Sequence, residues 1–126
     1  TVDVTVGDAQ VNRYMTSIET PLDWFTGPSP WGGPVACFGS MVSALGAPCS
    51  AYLAENGTGA VAIDGAIELR MIAGPVRRDT PYRASGEVIA RGRSPRTEYI
   101  WYESGLDDAS GQRVAEMRMQ LRFVVA

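Results

Sequence analysis

The stretch SPWGGPVACFGSMVSALG, Ser29–Gly46, decides the fold. Five of its first six residues are Pro, Gly or Trp, and the chain then turns abruptly to small and apolar residues. Pro34 suits the first turn of a helix, where a missing N–H costs nothing. Beyond it Val35, Phe38, Val42 and Leu45 recur at helical spacing, while Gly39, Ser40, Ser43 and Ala44 are small. The pattern predicts a helix from Pro34 to about Leu53 whose small side can lie close against another backbone. Gly46 and Pro48 are expected to kink or interrupt it, and Asn56-Gly57 to end it.

On either side the period is two. Val2–Val6 alternates apolar and polar residues and reads as a short strand closed by Gly7-Asp8. Residues 9–34 are broken by Pro21, Pro28, Pro30 and Pro34, with room for one helical turn at Pro21–Phe25. After the helix Ile67, Leu69 and Met71 alternate with Glu68 and Arg70. Tyr82–Arg91 carries Ala84, Gly86 and Ala90 on one face. Thr97–Ser104 sets Tyr99 and Trp101 against Ile100 and Tyr102. The clearest strand is the last, where Ala115, Met117, Met119, Leu121, Phe123 and Val125 form an unbroken apolar face. One strand, a loop, one apolar helix and four antiparallel strands make an α+β layout, specifically a hotdog: a curved antiparallel sheet around one long central helix.

The 126 residues form one domain, 1–126, long enough to bury a core without metal or disulfide staples. No apolar run is long enough to span a membrane, and no charged segment leads into an apolar one at the start, so a cytoplasmic location is expected. A net charge of −3 offers nothing to nucleic acid. The basic residues are all arginine, with neither lysine nor histidine in the sequence. That excludes Schiff-base chemistry, a histidine-activated nucleophile, an Asp–His acid/base pair and histidine-ligated metal within this chain. Cys37 and Cys49 read as small buried hydrophobes, and Met117 and Met119 as core. Asn56-Gly57-Thr58 reads as a turn.

Trp31–Ala36 (WGGPVA), preceded by Asp23–Phe25 (DWF), resembles the lead into the central helix of MaoC-like hotdog proteins. The likeness runs to the N-terminal dehydratase-like halves of double-hotdog members. GAIELRMIAGPVRRDTPYRASGEVIARG, TEYIWYES and GQRVAEMRMQLRFVV resemble the same family's remaining strands. The resemblance implies binding of acyl groups on coenzyme A or a carrier's phosphopantetheine arm, as substrate rather than as cofactor, with no metal. It implies hydration of an enoyl thioester, or the reverse. Catalytic members use an Asp and a His for this, and a chain without histidine departs from that pattern.

The elbow is the first candidate site. Gly32 and Gly33 let a thioester carbonyl approach the backbone, and the N–H groups of Gly33 and Val35 are the expected donors. Asp23 is the candidate general base, or the nucleophile of a thioesterase, which is the alternative activity. Tyr14, Glu19, Ser29, Trp31 and Ser40 are expected to line a pocket, and the basic turn around Arg93 and Arg96, or the pair Arg77-Arg78, to hold phosphate. A lone hotdog leaves a sheet edge and a pocket side open, so a homodimer or higher hotdog oligomer is expected. A histidine-bearing hotdog subunit as partner would supply the missing pair in trans, leaving this chain as an acyl-binding subunit. A lyase or isomerase of another type has no motif in its favour.

Overall fold

The alternation in Arg113–Val124 and Thr97–Asp107 is realised as the two central strands of a sheet. The computed structural model describes residues 1–7, 23–56 and 61–124. In chain order these form β1 (Val2–Val4), a 3-10 turn (Asp23–Phe25), α1 (Phe38–Asn56), β2 (Ala62–Met71), β3 (Tyr82–Arg93), β4 (Thr97–Asp107) and β5 (Arg113–Val124). The strands make one five-stranded sheet in the order β1-β3-β4-β5-β2, and every pairing is antiparallel. The hotdog expectation holds. Tyr14 and Glu19 lie outside the described residues.

Each strand sends its apolar set to the side where α1 lies. The shared interior holds Ala44, Leu45 and Cys49 of α1 with Ala84, Tyr102, Leu106, Ala115, Met117, Met119 and Leu121 of the sheet. Burying a leucine such as Leu45, fully covered, stabilises by roughly 2 kcal/mol relative to leaving it exposed. The opposite face is charged. There Arg118 pairs with Glu103, Arg70 with Glu116, and Arg113 with both Asp107 and Glu116.

Helix α1 begins four residues later than the periodicity predicts. Segment 34–36 is instead held in an extended, strand-like exchange with residues 76–78. Val35 bridges Arg77, the Ala36 N–H donates to the Val76 carbonyl at 2.7 Å, and the Arg78 N–H donates to the Pro34 carbonyl at 3.2 Å. A backbone bonded sideways cannot wind into a helix, so winding starts at Phe38. At the other end α1 runs through Pro48 to Asn56 without a break in assignment. Pro48 removes the bond to the Ala44 carbonyl but sits in the buried face.

Two bulges reset the alternation. In β3 the register shifts between Val88 and Ala90, so Ala90 falls opposite Trp101 and not on the helix side with Ala84 and Gly86. In β2 it shifts at Gly65, so Asp64 falls opposite Leu121, on the inner face shared by Ile67 opposite Met119. Gly86 has a packing reason: a Cβ there would lie 2.5 Å from the Tyr102 hydroxyl and 2.7 Å from the Glu103 carbonyl. The buried Tyr102 ring therefore lies directly over a bare backbone.

The β4–β5 connection is organised by Asp108, whose carboxylate accepts from the Ser110 hydroxyl at 2.6 Å and from the Ser110 and Gln112 N–H groups. The Ser110 hydroxyl foremost, then the Gln112 N–H, holds the Asp108 carboxyl below its usual range.

Gly86→Ala is expected to lower stability by about 1–3 kcal/mol through overpacking, whereas Gly46→Ala, with nothing within 4 Å of its new methyl, should raise it by about 0.5–1 kcal/mol. Urea denaturation measures both. Because Asp108 is depressed in the folded chain, its contribution is present above the unfolded pKa and lost as pH falls through the folded one. The stability gap between wild type and Asp108→Ala should be full at pH 7 and close on acidification below about pH 4.

Candidate functional site

The elbow is a hydrogen-bonded knot around Ser29. Ser29 and Gly32 form an antiparallel bridge, with the Gly32 N–H on the Ser29 carbonyl at 2.9 Å. The Ser29 hydroxyl donates to the Gly33 carbonyl at 2.7 Å and accepts from the Trp31 N–H at 3.3 Å. Gly32 adopts φ +105°, a conformation open to glycine and strained for any other residue. Ser29 and Gly32 thus build the turn. The Val35 N–H donates to the Trp24 carbonyl at 2.9 Å, which ties the elbow to the 3-10 turn and removes Val35 from the expected thioester donors.

Donors reappear farther on. With α1 starting at Phe38, the first bond inside it is Met41 N–H to the Cys37 carbonyl at 3.0 Å. The N–H groups of Phe38, Gly39 and Ser40 have no earlier carbonyl in the helix to receive them, and they sit at the positive end of its dipole. Ser40 is fully buried beneath them, its hydroxyl 3.3 Å from the Cys37 sulfur. The sequence suggests Ser40, but it places the donors too early.

Asp23 opens the exposed 3-10 turn, and the turn's hydrogen bonds, from the Thr26 and Gly27 N–H groups, run to its carbonyl. Trp31 is not folded over α1. It stands at the elbow's tip, edge-on to Trp24 with ring centroids 5.6 Å apart and planes at 88°. Arg77 and Arg78 fasten this region, donating to the Trp31 carbonyl at 2.7 Å and to the Phe25 carbonyl at 2.9 Å.

Arg93 and Arg96 belong to the opposite end of the sheet. Tyr82 starts β3 beside Arg77, whose N–H it receives on its hydroxyl at 2.9 Å, and β3 then runs twelve residues to Arg93. That strand spans about 36 Å. Arg93 is exposed and faces Glu98 at 3.6 Å. Within one chain the basic turn and the elbow do not share a site.

Other features escape sequence reading. The Gly65 bulge delivers the Asp64 carboxylate to the inner face of β2, which strict alternation would have turned outward. The Ser104 hydroxyl is buried among α1-facing residues with no partner among the described residues. Burial, with the Cys49 thiol beside it, pushes the Tyr102 phenol up to about 12, and burial raises Cys49. Cavities lie on the charged outer face (about 560 Å³, around Glu103, Arg113 and Arg118) and between α1 and β3 (about 460 Å³, around Tyr52, Val88 and Tyr102). No cluster suited to a metal ion occurs among the described residues. No helix there is long and apolar enough to cross a membrane.

Both cysteines are buried. In native protein at neutral pH, 5,5′-dithiobis(2-nitrobenzoate) should label them at least a hundredfold more slowly than free cysteine, and at once after unfolding. Fast native labelling of either would reinstate a thiol nucleophile.

No protein-family model matches the sequence, and no curated protein does. Solved structures do. A monoamine oxidase regulatory protein from Archaeoglobus fulgius is 15% identical, with a TM-score of 0.76 over 99% of this chain and 86% of that one. The HadBC complex, a 3R-hydroxyacyl-ACP dehydratase from Mycobacterium tuberculosis, is 13% identical with a TM-score of 0.75, over 96% of this chain and 90% of that one. A MaoC-like dehydratase is 15% identical with a TM-score of 0.75 over 98% of this chain, which spans 40% of the length of that one. The chain has the hotdog fold, which it shares with these structures.

Proposed function

We propose that the chain is an acyl-thioester-binding hotdog subunit of an enoyl hydratase or 3-hydroxyacyl dehydratase, whose acid/base pair comes from a histidine-bearing hotdog partner. The observation that carries this reading is the half-covered sheet. Helix α1 packs chiefly on β3 and β4, while β2 lies at the far edge. Its inner face holds half-buried Ile67 and Leu69, with Met71 exposed. An apolar strip beside an edge that is unpaired among the described residues calls for a second subunit. The likeness to a dehydratase complex supports that partner, and the absence of histidine from all 126 residues gives it a task.

In this reading the N–H groups of Phe38, Gly39 and Ser40 donate to the thioester carbonyl and the apolar strip receives the acyl chain. Donors aimed at the carbonyl stabilise the negative charge that develops there as water adds to C3 of the enoyl group; one donor is worth about 3 kcal/mol to such a transition state. The partner's base takes the water proton, and a proton returns to C2. Asp64, on the inner face of β2, is the chain's own carboxylate beside the strip. Asp23 stays a turn residue, and the thioesterase alternative built on it gains no support from its exposed position.

Isothermal calorimetry with the purified chain should show butyryl-CoA binding that Asp23→Asn leaves within twofold. The chain alone should not hydrate crotonyl-CoA. Turnover by the chain alone overturns the role given to the partner, and absence of binding overturns the whole reading. Ile67→Arg should abolish subunit assembly at micromolar concentration by light scattering while the fold survives by circular dichroism.

A further inference from the structure

The exposed aromatic pair at the elbow remains unused by the chemistry above. Trp24 and Trp31 are 41% and 46% exposed, although each indole could bury a large apolar area. The backbone at both is tied down, Trp24 by its carbonyl's bond from Val35, Trp31 by its carbonyl's bond from Arg77 and its own N–H on Ser29, and the two rings brace each other edge-on. Arg77 is itself exposed, and one bond to a carbonyl leaves most of its N–H donors for another acceptor.

Braced, half-exposed indoles beside a guanidinium suit a ligand with a flat π-system and phosphates. We propose that Trp24, Trp31 and Arg77 form the platform for the nucleotide end of coenzyme A, the adenine stacking on the Trp31 indole, which Trp24 braces edge-on, and the phosphates meeting Arg77. The proposal rests on the acyl-thioester reading and selects coenzyme A over a carrier protein within it.

Reach supports the placement. The bridge puts Arg77 about 5 Å from Val35, and Val35 is three residues from Phe38, at most about 11 Å of chain. An extended pantetheine arm covers that distance from a thioester carbonyl at the start of α1. The Arg93–Arg96 turn, at the far end of β3, does not serve the same ligand within one subunit. Electrostatics assigns the larger share to stacking. The chain carries net charge −3, and Asp23 and Asp79 adjoin Trp24 and Arg78 in sequence, so Arg77 acts in a partly offset field.

The test compares butyryl-CoA with butyryl-pantetheine, which carries the same thioester without the nucleotide, by calorimetry and tryptophan fluorescence. Butyryl-CoA should bind at least tenfold more tightly, about 1.4 kcal/mol, and alone should quench fluorescence. Trp31→Ala should erase the difference and leave butyryl-pantetheine affinity unchanged; Trp31→Phe should restore part of it, and Arg77→Lys should weaken butyryl-CoA alone. Equal affinity of the two ligands, with Trp31→Ala silent, overturns the platform while the acyl-thioester reading stands. So does tighter binding of a butyryl carrier protein than of butyryl-CoA, or loss of assembly in Trp31→Ala, which would make the patch a subunit contact. If neither small ligand binds, both readings fall.

Discussion

The rest of the structure depends on the backbone exchange between residues 34–36 and 76–78. Its two hydrogen bonds set where α1 can begin, because a segment paired sideways is not free to wind. They also anchor the connection between β2 and β3, bringing Arg77 and Arg78 onto the carbonyls of Trp31 and Phe25. The elbow, the 3-10 turn and the head of the helix are therefore joined in one hydrogen-bonded unit. Buried Val35, Ala36, Cys37 and Val76 seal this end of the interior, so the exchange is dry and its hydrogen bonds are not traded for water.

Much of the architecture was legible because burial is periodic. Met117, Met119 and Leu121 alternate without interruption and face α1 as their spacing demands. Local pattern fails where a long-range pairing overrides it. Val35 continues the helical spacing of Phe38, Val42 and Leu45, yet its partner is Arg77, forty-two positions away. The bulges fail for the same reason: nothing in Asp64-Gly65-Ala66 announces that Gly65 is the extra residue, since that depends on Gln120 and Leu121 across the ladder.

The candidate site was legible in its ingredients more than in its geometry. Glycines, a proline and a small-faced helix promised open backbone donors, and the structure keeps donors of that kind but moves them to Phe38–Ser40. Gly32 and Ser29 close the turn that was expected to hold a ligand. Trp31 was expected to line a pocket; the structure sets it half-exposed and edge-on to Trp24, with Arg77 on its carbonyl, a pairing that sequence does not reveal. The absence of histidine was readable from the start, and its consequence grows in a fold whose helix leaves β2 uncovered.

These features divide the work of a hotdog assembly in a particular way. A subunit without histidine can hold and orient a thioester but lacks the side chain that most readily carries a proton near neutral pH. Its buried titratable groups point the same way: Tyr102 at about 12 and the raised Cys49 stay protonated and neutral at physiological pH. The interior is thus fixed in charge state, and the carboxylates within reach of the open face, Asp23 and Asp64, are exposed to water. Binding free energy then has to come from backbone donors, apolar contact and aromatic surface. Those are what the helix start, the β2 strip and the Trp24–Trp31 pair present.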